Sequence, residues 1–177
     1  MQFKKLQSQD LVFQTPWFDL VAKNYPGEPS PHYSISTRDY VCVIATTEDY
    51  RLLLVRQFRP ALDQMVVELP SGHVEEGETP EEAARKELLE ETGYVAGEMM
   101  DLGSLSTDQG RLDNRMWSFF APRVTPAPPG TFTLEAGIEL LIFEKNLRYL
   151  LLSEPGFCCA LHHAAIMSCV LRGCLTL

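Results

Sequence analysis

The sequence predicts an α/β domain, and three observations carry that prediction. Short apolar segments bounded by turn residues recur along the chain. One strongly punctuated helix stands among them, between Thr79 and Gly93. A length of 177 residues with 45% hydrophobic content is enough to fill one core.

The elements follow in order. Residues 1–45 read as strands, broken by the turn-rich run Asn24-Tyr25-Pro26-Gly27-Glu28-Pro29-Ser30-Pro31. Tyr40 to Thr46 and Arg51 to Phe58 form two strands around the turn Thr47-Glu48-Asp49-Tyr50. Met65-Val66-Val67 is a short strand leading into Glu68-Leu69-Pro70-Ser71-Gly72. The loop Glu75-Glu76-Gly77-Glu78 delivers the chain to a helix. Thr79 is its N-cap, Pro80 takes the first helical position, and Glu82 closes a capping box. Gly93 is its C-terminal stop. Met100 to Ser106 and Met116 to Ala121 read as strands on either side of a polar loop, Thr107 to Arg115. Pro122 to Gly130 holds four prolines and a glycine and reads as a loop. A strand at about Ile138 to Glu144 follows, then helices at about Leu147 to Leu152 and Phe157 to Leu171. The last is too short and too polar for a membrane span.

Charge narrows the partners. A net charge of −9 argues against a nucleic-acid polyanion. A small diphosphate stays open, because a bound cation reverses the local field. The N-terminus MQFKKLQSQDLVFQ lacks an apolar run of signal-peptide length. Five cysteines is an odd number, and Cys158, Cys159, Cys169 and Cys174 crowd near the C-terminal end. They read as reduced thiols of a cytoplasmic protein. A zinc site from Cys158, Cys159, His162 and His163 competes weakly, since adjacent pairs lack ordinary zinc-ligand spacing.

The chemistry lies in the helix. Eight carboxylates fall in the seventeen residues from Glu75 to Glu91, with Arg85 and Lys86 the only bases among them. Glu87, Glu90 and Glu91 stand at i, i+3 and i+4 and share one face. Like charges so close destabilise a helix unless something cationic is held there. Hard oxygen ligands suit Mg²⁺ or Mn²⁺, which keep part of their water shell and bind substrate phosphates. A charge run is usually a solvated face. Here a strand, a glycine loop and a capped helix form one unit around the acids, which favours a metal.

These residues resemble a known pattern. Gly72, Glu78, Lys86-Glu87, Leu88, Glu90-Glu91, Gly93 and Tyr94 stand at the spacing of the Nudix box, over 23 residues. Lys86 is the one departure, where the family carries arginine. The flanks Leu52-Leu53-Leu54-Val55-Arg56-Gln57-Phe58-Arg59 and Glu68-Leu69-Pro70-Ser71-Gly72 are similar to the ADP-ribose (ADP-sugar) pyrophosphatase subfamily. The resemblance implies the Nudix fold, a mixed β-sheet sandwiched between helices, with extra N-terminal strands. It implies one hydrolase domain over residues 1–177, with a core at 40–177 and a dimerisation region at 1–45 that makes a homodimer. The implied reaction is metal-dependent hydrolysis of a nucleoside diphosphate sugar, foremost ADP-ribose to AMP and ribose 5-phosphate. GDP-mannose or another nucleotide sugar, and a non-catalytic nucleotide sensor, are the alternatives.

The resemblance also assigns roles. Glu87 and Glu91 are the principal metal ligands, Glu90 helps directly or through water, and the Ser71 carbonyl completes the shell around Mg²⁺ or Mn²⁺. Glu78 supports the loop or a second ion, and Lys86 braces the box glutamates. Glu135, after the proline-rich loop, is the general base, with Glu139 as second candidate. Arg59 binds the diphosphate, and Arg56, on the opposite face of the strand, is a further substrate-binding candidate against which a surface ion pair competes. Glu68 bonds ribose hydroxyls or a phosphate-binding arginine. Trp17 and Tyr33 stack on the base.

Overall fold

The computed structural model describes residues 4–177, so Phe3 of the expected N-terminal apolar surface lies outside the described residues. The chain separates into two compact units. One holds the described residues up to Asp39 together with Ser106–Arg115, and the other holds Tyr40–Leu105 and Met116–Leu177.

The first unit is an antiparallel sheet of β1 (Ser8–Gln14), β2 (Asp19–Asn24) and β3 (His32–Ser36), with β2 central. The β1–β2 turn is built on Thr15. Its hydroxyl accepts from the Trp17 and Phe18 amides and donates to the Phe18 carbonyl at 2.8 Å. The polar loop 107–115, expected in the core segment, joins this unit instead. The reason is backbone pairing: Ile35 N donates to Arg111 O at 2.7 Å, and Asp113 N donates to Ile35 O at 3.3 Å.

The second unit holds β4 (Tyr40–Thr47), β5 (Leu52–Arg59), β6 (Gln64–Glu68), β7 (Ser71–His73), α1 (Pro80–Thr92), β8 (Tyr94–Val95) and β9 (Met100–Ser106). It continues with β10 (Arg115–Pro126), β11 (Glu139–Phe143), α2 (Leu147–Ser153) and α3 (Ala160–Leu171). The sheet runs β11-β5-β4-β10-β8, with β6 on β5, β7 on β4 and β9 on β10. β4 and β10 are parallel, while β4–β5, β5–β6, β4–β7 and β5–β11 are antiparallel. The sheet is therefore mixed.

Alternation along β4 explains the sandwich. Val41, Val43 and Ala45 pack with Leu53, Ala83, Ala84 and Leu88 on the α1 side. Cys42 and Ile44 pack with Leu54, Leu150 and Ile166 on the α2 and α3 side. Both faces of β4 are buried, and its sequence is accordingly an almost unbroken apolar run.

α1 has the expected ends. Thr79 Oγ1 accepts from Glu82 N, Glu82 closes the capping box, and Gly93 takes the left-handed conformation at φ 73°. The proline-rich loop begins later than expected, because β10 continues through Pro122 to Pro126. A register shift between Ala121 and Val124, with Arg123 at φ 50°, breaks the ladder where prolines can be accommodated. α3 starts at Ala160 rather than Phe157, whose ring is buried in the core ahead of it. Among the described residues no helix is long and apolar enough to cross a membrane.

Candidate active site

Three elements of the second unit build the site. β6 ends at Glu68, Leu69 and Pro70 turn the chain, and β7 lays Ser71 and Gly72 beside Cys42 and Val41 of β4. The Glu75–Glu78 loop then leads to α1. Glu78 closes that loop by accepting from the Glu75 amide at 3.1 Å, which is its supporting role.

α1 turns its acids back onto β7. The Ser71 amide donates to Glu91 Oε2 at 2.8 Å. The Glu87 carboxylate lies directly over Gly72, in space that a Cβ there would occupy. Glu87, Glu91 and Glu135 each place a carboxylate oxygen within 4.8 Å of the others. Glu87 is 8% exposed and Glu91 4%. Burial, opposed by Lys86 and reinforced by Glu90, Glu135 and Glu78, pushes the Glu87 carboxyl up to about 7. Burial pushes Glu91 up to about 8, against the Ser71 amide and Arg59, with Glu87 and Glu135 adding to the rise. Converging, desolvated carboxylates of this kind fit a hard divalent cation, which would restore their charged forms.

Of the expected ligands, Glu87 and Glu91 lie in this converging group. Glu90 is not in the converging group. Its backbone carbonyl accepts from the Glu135 amide at 2.9 Å. That bond brings Glu135, expected as a base, into the carboxylate group. Ser71, expected to offer its carbonyl, stands beside the group, and its amide holds Glu91.

The arginines divide as their strand positions dictate. Arg59 grips Glu68 through Nε at 2.9 Å and Nη2 at 2.8 Å, so Glu68 holds an arginine. Arg56 pairs across the strands with Glu139 at 3.3 Å. Glu139 thus lies on the opposite face from Arg59 and Glu68, which counts against it as the base. Trp17 and Tyr33 belong to the first unit and are 76% and 53% exposed, so neither is a core residue.

The brace expected of Lys86 is not made by contact. Lys86 is exposed and has no hydrogen bond or ion pair among the described residues, and its charge reaches Glu87 through space. Arg85, its neighbour, is tied to Glu81 at 2.9 Å and to the Ala96 carbonyl at 2.8 Å. An exposed charge acting at a distance is worth little. If the resemblance to a hydrolase holds, Lys86→Ala should therefore lower the rate by no more than about threefold, and Lys86→Arg should match the native protein. Metal titrations read by initial rate check this, and a tenfold or greater loss in the alanine variant would restore the brace.

The zinc alternative is not formed. His162 Nδ1 accepts from the Leu69 amide at 3.3 Å, and the His163 ring nitrogens face the carbonyls of Cys159 and Leu151. All five cysteines are free thiols. His162 is the residue that sequence reasoning misplaced, for its neighbours in sequence say nothing about a contact with Leu69.

The NUDIX domain profile matches residues 36–140, which enclose β7, α1 and Glu135. An ADP-ribose pyrophosphatase of Bacillus subtilis is 30% identical over 125 residues, 69% of this chain and 68% of that protein. A methanol dehydrogenase activator of Bacillus methanolicus is 38% identical over 87 residues, 49% of this chain and 47% of that one. The solved structure of an ADP compounds hydrolase superimposes with a TM-score of 0.79 at 20% identity, over 98% of this chain and 96% of that chain, and so shares the fold. With the acidic group on α1 intact, the chain belongs to the NUDIX domain family and is a Nudix hydrolase.

Proposed function

We propose that the protein hydrolyses the diphosphate bond of ADP-ribose to AMP and ribose 5-phosphate with Mg²⁺, Mn²⁺ serving in its place. The observation that carries this is the convergence of Glu87, Glu91 and Glu135 above Gly72. Similarity to an ADP-ribose pyrophosphatase over about two thirds of each chain supports the substrate.

Glu87 and Glu91 hold the cation, and Glu90 acts from the outer side through water. When bound, the metal neutralises the diphosphate and lowers the pKa of the attacking water. The Ser71 amide fixes the Glu91 carboxylate, so that one oxygen is committed to the protein and the other to the site. Glu135 is exposed, within reach of the same point, and can accept the proton of the attacking water and release it to solvent. Arg59, oriented by Glu68, presents its remaining guanidinium edge to the diphosphate. Trp17 and Tyr33 supply exposed rings suited to stacking on the adenine.

The test is metal-dependent release of AMP from ADP-ribose, run beside GDP-mannose and other nucleotide sugars with Mg²⁺ and with Mn²⁺. ADP-ribose should give the highest kcat/KM, and the chelated enzyme should give none. A preference for another nucleotide sugar would keep the chemistry and replace the substrate. No turnover of any member, with nucleotide still bound, would favour a sensor.

Assembly and location belong to the same reading. All seven residues of β1 are exposed, among them Leu11, Val12 and Phe13, with Trp17 and Phe18 close behind in sequence. A three-stranded sheet with so much uncovered apolar surface supports a homodimer through residues 1–45. Light scattering at micromolar concentration should give twice the chain mass, and a fully active monomer would remove any cross-subunit role for Trp17 or Tyr33. Five free thiols support a reducing, cytoplasmic location.

A further inference from the structure

Among the described residues β6 pairs only with β5, so its outer edge would present bare amides to whatever lies beside it. The C-terminal segment covers that edge. Val67 N donates to Gly156 O at 3.0 Å, and two residues on, Leu69 N donates to His162 Nδ1 at 3.3 Å. Two residues further, Ser71 N donates to Glu91 at 2.8 Å. Three alternate amides thus lead from the C-terminal segment straight into the carboxylate group. Pro70 between the last two has no amide, and its carbonyl accepts from Val43 N at 2.9 Å.

His162 is the side chain in that series supplied from the other side of the sheet. It is 2% exposed on α3, and Leu69 is fully buried. An unpartnered Leu69 amide would have no water to turn to, so the bond resists being broken. Burial, with Arg59 and His163 adding to it, holds the imidazole down to about 4. The ring is therefore neutral, and Nδ1 is free to accept with the proton on Nε2.

We propose that His162 is a positioning residue for the metal site, fixing the Leu69-Pro70-Ser71 turn so that the Ser71 amide holds Glu91. The inference rests on the metal-dependent reading of the Glu87–Glu91–Glu135 group. The competing explanation is a buried histidine that only satisfies the core. That role would cost stability and leave metal affinity alone.

Three variants separate the two. His162→Leu keeps apolar volume and loses the acceptor. His162→Asn places an acceptor oxygen where Nδ1 stands. His162→Gln is equally polar but carries its oxygen one bond too far. Mn²⁺ affinity of the free protein is read by electron paramagnetic resonance. Exchange of the Leu69 and Ser71 amides in metal-free protein is read by NMR against the Ile44 amide as a core reference. His162→Leu should weaken Mn²⁺ binding about tenfold, the size expected when a group orienting a metal ligand is removed. Both amides should exchange faster relative to Ile44, and His162→Asn should stay within about twofold of native. Native Mn²⁺ affinity in His162→Leu, or equal losses in His162→Leu and His162→Asn, would overturn the proposal. If His162→Leu does not fold, the Asn and Gln variants decide: a weaker Gln variant supports the proposal and equal variants overturn it. A native protein that binds no Mn²⁺ would overturn the metal reading instead, and the exchange data would still say whether His162 holds the Ser71 amide.

Discussion

Glu91→Gln is expected to keep the fold and lose at least about a hundredfold of the rate, because the charge that holds the cation is gone. The change is nearly isosteric. The amide oxygen can still accept from Ser71 N, so the 2.8 Å bond that ties α1 to β7 survives. What disappears is a formal charge in a pocket where Glu91 is 4% exposed. A second readout checks that the loss is electrostatic. In the metal-free protein Glu91 is raised to about 8 from an ordinary value of 4.5. Between those values the unfolded chain releases its proton while the folded chain keeps it. Native stability in chelator should therefore fall as pH rises from 4.5 to 8. The glutamine has no proton to lose, so Glu91→Gln should show a smaller fall in Tm over that window. Glu87, raised to about 7, still contributes in both proteins. Near-native turnover with Mg²⁺ still required would mean that the ligand set is wrong.

How much of this was legible in the sequence depends on how far apart the interacting residues lie. α1 was readable to its caps because Thr79, Pro80, Glu82 and Gly93 act within one turn of each end. Its carboxylate-bearing side was readable because Glu87 and Glu91 are one turn apart. The partners of that face were not, since each is set by the sheet. Ser71 reaches Glu91 because β7 pairs with β4, and Gly72 sits beneath Glu87 for the same reason. Glu135 enters the group through the hydrogen bond that its backbone amide donates to the Glu90 carbonyl, which no local pattern announces. The resemblance implied that Glu90 helps directly or through water and that Lys86 braces the box glutamates. Glu90 lies outside the converging carboxylates, and Lys86 is exposed. Alternation on β5 did place Arg56 and Arg59 on opposite faces, since a period of two needs no tertiary information. The pairing of loop 107–115 with β3 joins Ile35 to Leu112, far apart in the chain, and nothing in a polar loop marks it.

Gly72→Ala is expected to abolish most activity, also by about a hundredfold or more, and to lower the stability of the fold. The argument is steric. Gly72 does not need a left-handed backbone, as its φ is not among the positive values. The added methyl would instead coincide with the Cδ and both oxygens of Glu87, which real atoms cannot do. Two relaxations are open. Glu87 can swing away, which dissolves the group it forms with Glu91 and Glu135. Alternatively, β7 can lift from β4, which breaks the Val41–Gly72 and Cys42–Ser71 pairing and carries the Ser71 amide off Glu91. Either route removes a ligand from its place. Forcing a methyl into packed space costs about 1–3 kcal/mol. Gly77→Ala is the control. Gly77 has φ 83° and nothing near a Cβ, so its substitution strains a loop without touching the carboxylates. It should cost about 1 kcal/mol of stability and leave the rate near native. Thermal unfolding and metal titration of both variants separate strain from displacement. If Gly72→Ala keeps the native rate and the native Mg²⁺ midpoint, the Glu87 carboxylate does not sit over β7 in the working enzyme, and the ligand geometry proposed here fails with it.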